Sequence, residues 1–214
     1  MQMKLKSHSQ YYTFNDQMMS ATTHATALGM SIVGTVALVA KAGSDPLRII
    51  SFLGFGLALI TLYAASTAFH GFYFTKARHI LQVMDHSGVF ILIAGSYLPY
   101  CLVAIGGGLG IGLLIAIWAL CLAGILYKCF FLGKLKGFET AIYVILGWMC
   151  LIGMQPLWAH MGPWGFWLLV AGGVAYTVGA VVYSQRQIPY IHVIWHLFVM
   201  IGSACMYASI YLFV

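Results

Sequence analysis

Charge is what this sequence most lacks. Asp, Glu, Lys and Arg together make 14 of 214 residues, about 7%, against 62% hydrophobic. A soluble domain carries roughly 25% charged residues, and a globule this apolar would expose large aggregating patches. The scarcity excludes a water-soluble fold and points to an integral membrane protein. Alternating ten-residue strands are also missing, which argues against a barrel and for an all-α bundle. No basic tract with interleaved aromatics occurs, so the net charge of +6 is not a nucleic-acid footprint. No C-x-x-C occurs either, and the five cysteines read as small packing residues in or near apolar helices.

Stretches free of Asp, Glu, Lys and Arg run over 17–40, 49–75, 86–127, 140–185 and 187–214. A spanning helix takes about 20 apolar residues, so the third and fourth stretches hold two helices each. Their breakers are Gly106-Gly107-Gly108, and Gln155-Pro156 through Gly162-Pro163. The expectation is a seven-helix transmembrane bundle, with helices near 18–40, 48–74, 80–104, 109–129, 138–154, 164–183 and 189–212. Residues 1–17 read as a cytoplasmic tail rather than a cleaved signal peptide, and 18–214 as one membrane domain. Lys4, Lys6, Lys76, Arg78, Lys128, Lys134, Lys136 and Arg186 fall on one side, and only Lys41 and Arg48 on the other. The positive-inside rule then puts the N-terminus in the cytoplasm and the C-terminus outside.

Polar groups inside spans carry the functional signal, because burying them in lipid is expensive. Asp85 is the one acidic residue well inside a span. It lies roughly 10 Å from the cytoplasmic boundary marked by Arg78. His70, counted back from Lys76, and His192, counted on from Arg186, lie roughly 9 Å from the same boundary, with His196 one turn deeper. Three helices thus bring His70, Asp85, His192 and His196 to one layer. His192 and His196 share a helical face, as do Ser66 and His70. Three imidazoles with one open position form a catalytic zinc pattern, in which Asp85 handles a proton and Ser66 holds water or substrate. A His-Asp proton relay of the transporter kind fits the same residues. His24 lies at comparable depth without a patterned partner on its helix, a candidate hydrogen bonder outside the metal's direct ligands. His86 points roughly 100° away from Asp85 around the helix. His8, His79 and His160 read as tail or loop residues. The run 95–100 marks a kink, and Trp158, Trp164 and Tyr190 read as interfacial anchors.

Ser66-Thr67-Ala68-Phe69-His70, Asp85-His86 and His192-Val193-Ile194-Trp195-His196 together resemble the hemolysin III family. This is the bacterial branch of the progestin and adiponectin receptor superfamily, with alkaline ceramidases as more distant relatives. The run Ile93-Ala94-Gly95-Ser96-Tyr97-Leu98-Pro99 resembles the family segment that follows the Asp. The first helix departs from the pattern. Thr23-His24 is kept, but Ser20 stands where the family has Asn, and Asp16-Gln17 where it has an acid.

The resemblance implies intramembrane zinc on His70, His192 and His196, with Asp85 and Ser66 beside it as non-ligand residues. It also implies a bacterial inner-membrane location and a role in membrane-lipid homeostasis or cytolysis. The substrate or ligand would be a membrane lipid. Three activities stand open at the level of sequence: zinc-dependent hydrolysis of a lipid amide, a membrane sensor with structural zinc, and proton or ion transport.

Overall fold

The computed structural model describes residues 2–131, 136–185 and 188–214, with side chains described from Thr13 onward except at 132–139. Lys4, Lys6, Lys134, Lys136, Arg186 and His8, which enter the sequence reading above, lie outside the described side chains. The regular elements among the described residues are all helical, the α-helices being α1 (Gln2–Ala42), α2 (Pro46–Gly71), α3 (Arg78–Pro99), α4 (Gly107–Phe131), α5 (Lys136–Trp148), α6 (Met154–Tyr183) and α7 (Ile191–Phe213). Among them, six stretches are long and apolar enough to cross a membrane, the longest being Thr140–Tyr183. The protein is therefore an all-helical membrane protein.

Local chemistry sets the helix ends. Asp45 caps α2, its carboxylate accepting from the Leu47 and Arg48 amides at 2.9 and 3.3 Å, and Pro46 starts the helix with the φ it needs. α1 runs without a break from Gln2, so the segment read as a tail is continuous with the first helix. The irregularity expected at 95–100 falls slightly later, in a π-helical turn over Tyr100–Ile105 that follows Pro99. Pro99 lacks the amide that would hold the preceding turn, and the wider turn after it closes with the Gly106 amide donating to the Cys101 carbonyl at 3.0 Å.

The break between the fifth and sixth helices is narrower than the sequence suggests. Gln155 and Pro156 are helical, because Pro is tolerated in a first turn, and α6 starts at Met154 after a 3-10 turn over Met149–Gly153. His160 is accordingly a helical residue, and it is exposed. The backbone breaks at Gly162, with φ 63° and ψ −176°. Gly106, between α3 and α4, has nearly the same pair, 65° and −175°. That region is open essentially to glycine alone. The Trp148 indole donates to Thr177 Oγ1 at 2.9 Å, so the chain doubles back between them.

α2 and α3 are the most enclosed helices and α4 the least. Phe52, Phe55, Leu38, Ile117, Leu157 and Ile210 are fully buried core residues. Small residues let the helices approach closely: a Cβ on Gly172 would stand 3.1 Å from the Gly202 carbonyl oxygen of α7.

Candidate metal centre and its cavity

α2, α3, α7 and α1 converge on one cavity of about 460 Å³. Its polar end holds His24, Ser66, His70, Asp85, His192 and His196; Leu92, Leu169, Val199 and Met206 line its depth. One ligand nitrogen each from His70, His192 and His196 lie within 4.8 Å of one another. The ring centroids stand 4.7 Å (His70–His192), 5.0 Å (His70–His196) and 4.6 Å (His192–His196) apart. His192 also packs edge-on against Tyr183 at 5.4 Å.

The hydrogen bonds around this trio fit a metal. His70 Nδ1 lies 2.6 Å from Gln17 Oε1, while its Nε2 is buried without a hydrogen-bond partner. His196 Nδ1 donates to the Ser20 carbonyl at 3.2 Å, with Thr23 Oγ1 3.3 Å away. With both Nδ1 positions taken up by oxygens, the lone pairs lie on Nε2. Metal-bound histidines are oriented in this way. In a tetrahedral zinc site with Zn–N of about 2.0–2.1 Å, nitrogens stand roughly 3.4 Å apart.

Asp85 is buried, with the Ser66 hydroxyl and the Lys128 ammonium as its polar neighbours. Ser66 is wholly buried, and its Oγ makes no hydrogen bond among the described residues. His24 stacks on His196, with ring centroids 3.5 Å apart and planes 12° from parallel. Both of its ring nitrogens are buried without a hydrogen-bond partner.

Three side chains differ from their sequence reading. His24 does have patterned companions: Gln17, Ser20, Ala21, His24, Ala27, Ser31 and Thr35 are all buried and form one stripe down α1. Their spacing of three and four is visible in the sequence as small and polar residues on one helical face. His86 lines the same cavity as Asp85, because the cavity wraps around more than one face of α3. Lys128, counted above among the boundary cations, is 1% exposed and lines the cavity. Its ammonium lies 6.0 Å from the Tyr143 ring centroid. No sequence signal separates a lysine turned inward at a helix end from one that reaches out to the headgroups. Arg78 behaves as a boundary cation does, its guanidinium 3.8 Å from the Tyr73 ring centroid.

The haemolysin-III related family matches residues 12–207, nearly the whole chain. The chain belongs to the haemolysin-III family. A Hemolysin-3 homolog of Bacillus subtilis (strain 168) is 38% identical over 198 residues, which cover 92% of this chain and 93% of that protein. Hemolysin-3 of Bacillus cereus is 34% identical over 201 residues, 93% and 92% of the two chains. The human monocyte to macrophage differentiation factor is 29% identical over 195 residues, 88% and 80% of the two chains. The first helix supplies the neighbours of His70 and His196: Gln17 lies against His70, and Ser20, Thr23 and His24 against His196.

Proposed function

We propose that this haemolysin-III protein is a zinc-dependent lipid amide hydrolase of the bacterial plasma membrane. It crosses the bilayer seven times, with its N-terminus in the cytoplasm and its C-terminus outside. The seventh crossing is supported by Thr140–Tyr183, a stretch of 44 residues. Straight, it would run roughly 66 Å, about twice the 30 Å hydrocarbon core, and the Trp148–Thr177 hydrogen bond sets its two halves side by side.

One observation carries the chemistry: three imidazoles, each with one ring nitrogen within 4.8 Å of the others, meet beside a buried carboxylate at the polar end of an otherwise apolar cavity. His70, His192 and His196 hold the metal. Zinc at such a site supplies Lewis acidity and lowers the pKa of a water toward about 7. Asp85 accepts the proton from the attacking water and returns it to the nitrogen leaving the amide carbon. Ser66 Oγ, beside the Asp85 carboxylate, holds the substrate's polar group. The cavity runs on to Ser96 and Met206, roughly 15 Å beyond Asp85 and His196, and that depth takes the acyl chain. Its volume is that of a small-molecule site.

The test is protein in lipid nanodiscs, assayed for zinc content and for fatty acid released from lipid amides. Stoichiometric zinc with release that Asp85→Asn abolishes supports the reading. Stoichiometric zinc with no release from any lipid amide overturns the hydrolase. Proton flux that depends on Asp85 and survives zinc chelation would replace it with a transporter.

A further inference from the structure

We infer that Gln17 is the positioning residue of the metal centre, fixing His70 in the tautomer that offers Nε2 to the metal. The inference rests on the zinc reading above. Gln17 is buried one helix away from His70, and its Oε1 lies 2.6 Å from Nδ1. A glutamine can present either an acceptor oxygen or a donor NH₂ to a ring nitrogen. With the NH₂ presented, the proton would sit on Nε2 and block ligation. With the oxygen presented, Nδ1 keeps the proton and Nε2 is left with a lone pair. Nε2 is buried and without a hydrogen-bond partner, and the His70 ring stands 4.7 and 5.0 Å from those of His192 and His196. The ligand atom is thus the one the protein leaves unbonded.

His196 is held differently. Its Nδ1 proton goes to the Ser20 backbone carbonyl, which also accepts the Thr23 hydroxyl at 2.9 Å. A backbone acceptor cannot turn over to become a donor, so His196 needs no side chain to set its tautomer. An amide side chain can. Of the two carbonyl oxygens that α1 presents to these rings, only that of Gln17 is open to substitution. A carboxylate there would accept from the same N–H more strongly, since hydrogen bonds to ionised acceptors are shorter and roughly twice as strong.

Three full-length proteins in nanodiscs decide it: wild type, Gln17→Leu and Gln17→Glu. Zinc affinity is read by chelator competition, and the tautomer of ¹⁵N-labelled His70 by NMR of the metal-free protein. The expected result is zinc binding weakened 10–100-fold by Gln17→Leu, and affinity equal to or above wild type in Gln17→Glu. His70 should carry its proton on Nδ1 in wild type and Gln17→Glu, and populate both tautomers in Gln17→Leu. Zinc affinity in Gln17→Leu equal to wild type overturns the inference. So does a Gln17→Glu protein at least tenfold weaker than wild type, a comparison that holds even if the leucine variant fails to fold. A wild type that binds no zinc removes the metal reading itself, whereas a wild type that binds zinc regardless of residue 17 removes only the role of Gln17.

Discussion

The two ends of the bundle treat buried polar atoms in opposite ways. At the far end nearly every hydroxyl is used. Tyr97 donates to the Leu146 carbonyl at 2.7 Å, Tyr176 and Ser203 share a bond of 2.8 Å, Ser209 donates to the Gly165 carbonyl at 2.8 Å, and Tyr207 donates to the Gly34 carbonyl at 3.0 Å. At the histidine end the pattern inverts. The buried side-chain atoms without a hydrogen bond among the described residues belong to Asp16, Ser20, His24, Ser66, Thr67, His70 and Ser87, all on the first three helices and within about two turns of the trio. An unpaired polar group in hydrocarbon costs several kcal/mol. Hydrogen bonds within the protein thus account for the hydroxyls of one end and leave several buried polar atoms of the other without a protein partner among the described residues.

The sharpest way to break this contrast is to remove a ligand. His196→Ala should abolish stoichiometric zinc, measured by metal analysis of purified protein, and His70→Ala and His192→Ala should do the same. Full zinc content in all three would mean that the unpaired nitrogens serve something other than a metal. Next in size is Asp85→Asn. The zinc stays, while release of fatty acid from a lipid amide falls by roughly 10²–10⁴-fold, the usual worth of a positioned acid-base group. An Asn variant with wild-type turnover would reduce Asp85 to a packing residue.

How much of this was legible in the sequence follows from the same contrast. Ionisable residues in an apolar chain stand out one by one, so His70, Asp85, His192 and His196 could be placed at one depth by counting residues from the boundary cations. Depth along a helix is arithmetic, whereas direction around it depends on packing. Counting along the chain therefore assigns neither His86 nor Lys128 to the cavity that both line. Gln17 escaped for a related reason. It carries no charge, sits just inside the region taken for a tail, and gains its meaning only from a histidine on another helix. The satisfied end was the least legible, since a tyrosine that donates to a carbonyl roughly fifty residues away leaves no local pattern.

Smaller effects test the frame rather than the site. Gly162 holds φ 63° and ψ −176° at the break within α6, with open space around the position a Cβ would take. Gly162→Ala therefore costs backbone strain alone, about 1–3 kcal/mol, read as a lowered unfolding temperature in detergent with zinc content unchanged. An alanine variant as stable as wild type would mean that the break tolerates another backbone path.

The smallest effect belongs to the far end. Tyr176→Phe deletes one partner of the Tyr176–Ser203 bond and leaves the ring in place. Hydrogen bonds between membrane helices average about 0.6 kcal/mol and reach about 1.7. The unfolding midpoint should therefore fall slightly, and zinc affinity should not change. The ring of Tyr176 borders the same cavity as the histidines, which makes zinc affinity the informative half of the measurement. If removing the hydroxyl weakens zinc binding tenfold, the two ends are one coupled network and the division between them fails. If it costs only stability, the paired hydroxyls hold the helices in register while the unpaired atoms at the opposite end meet the ligand.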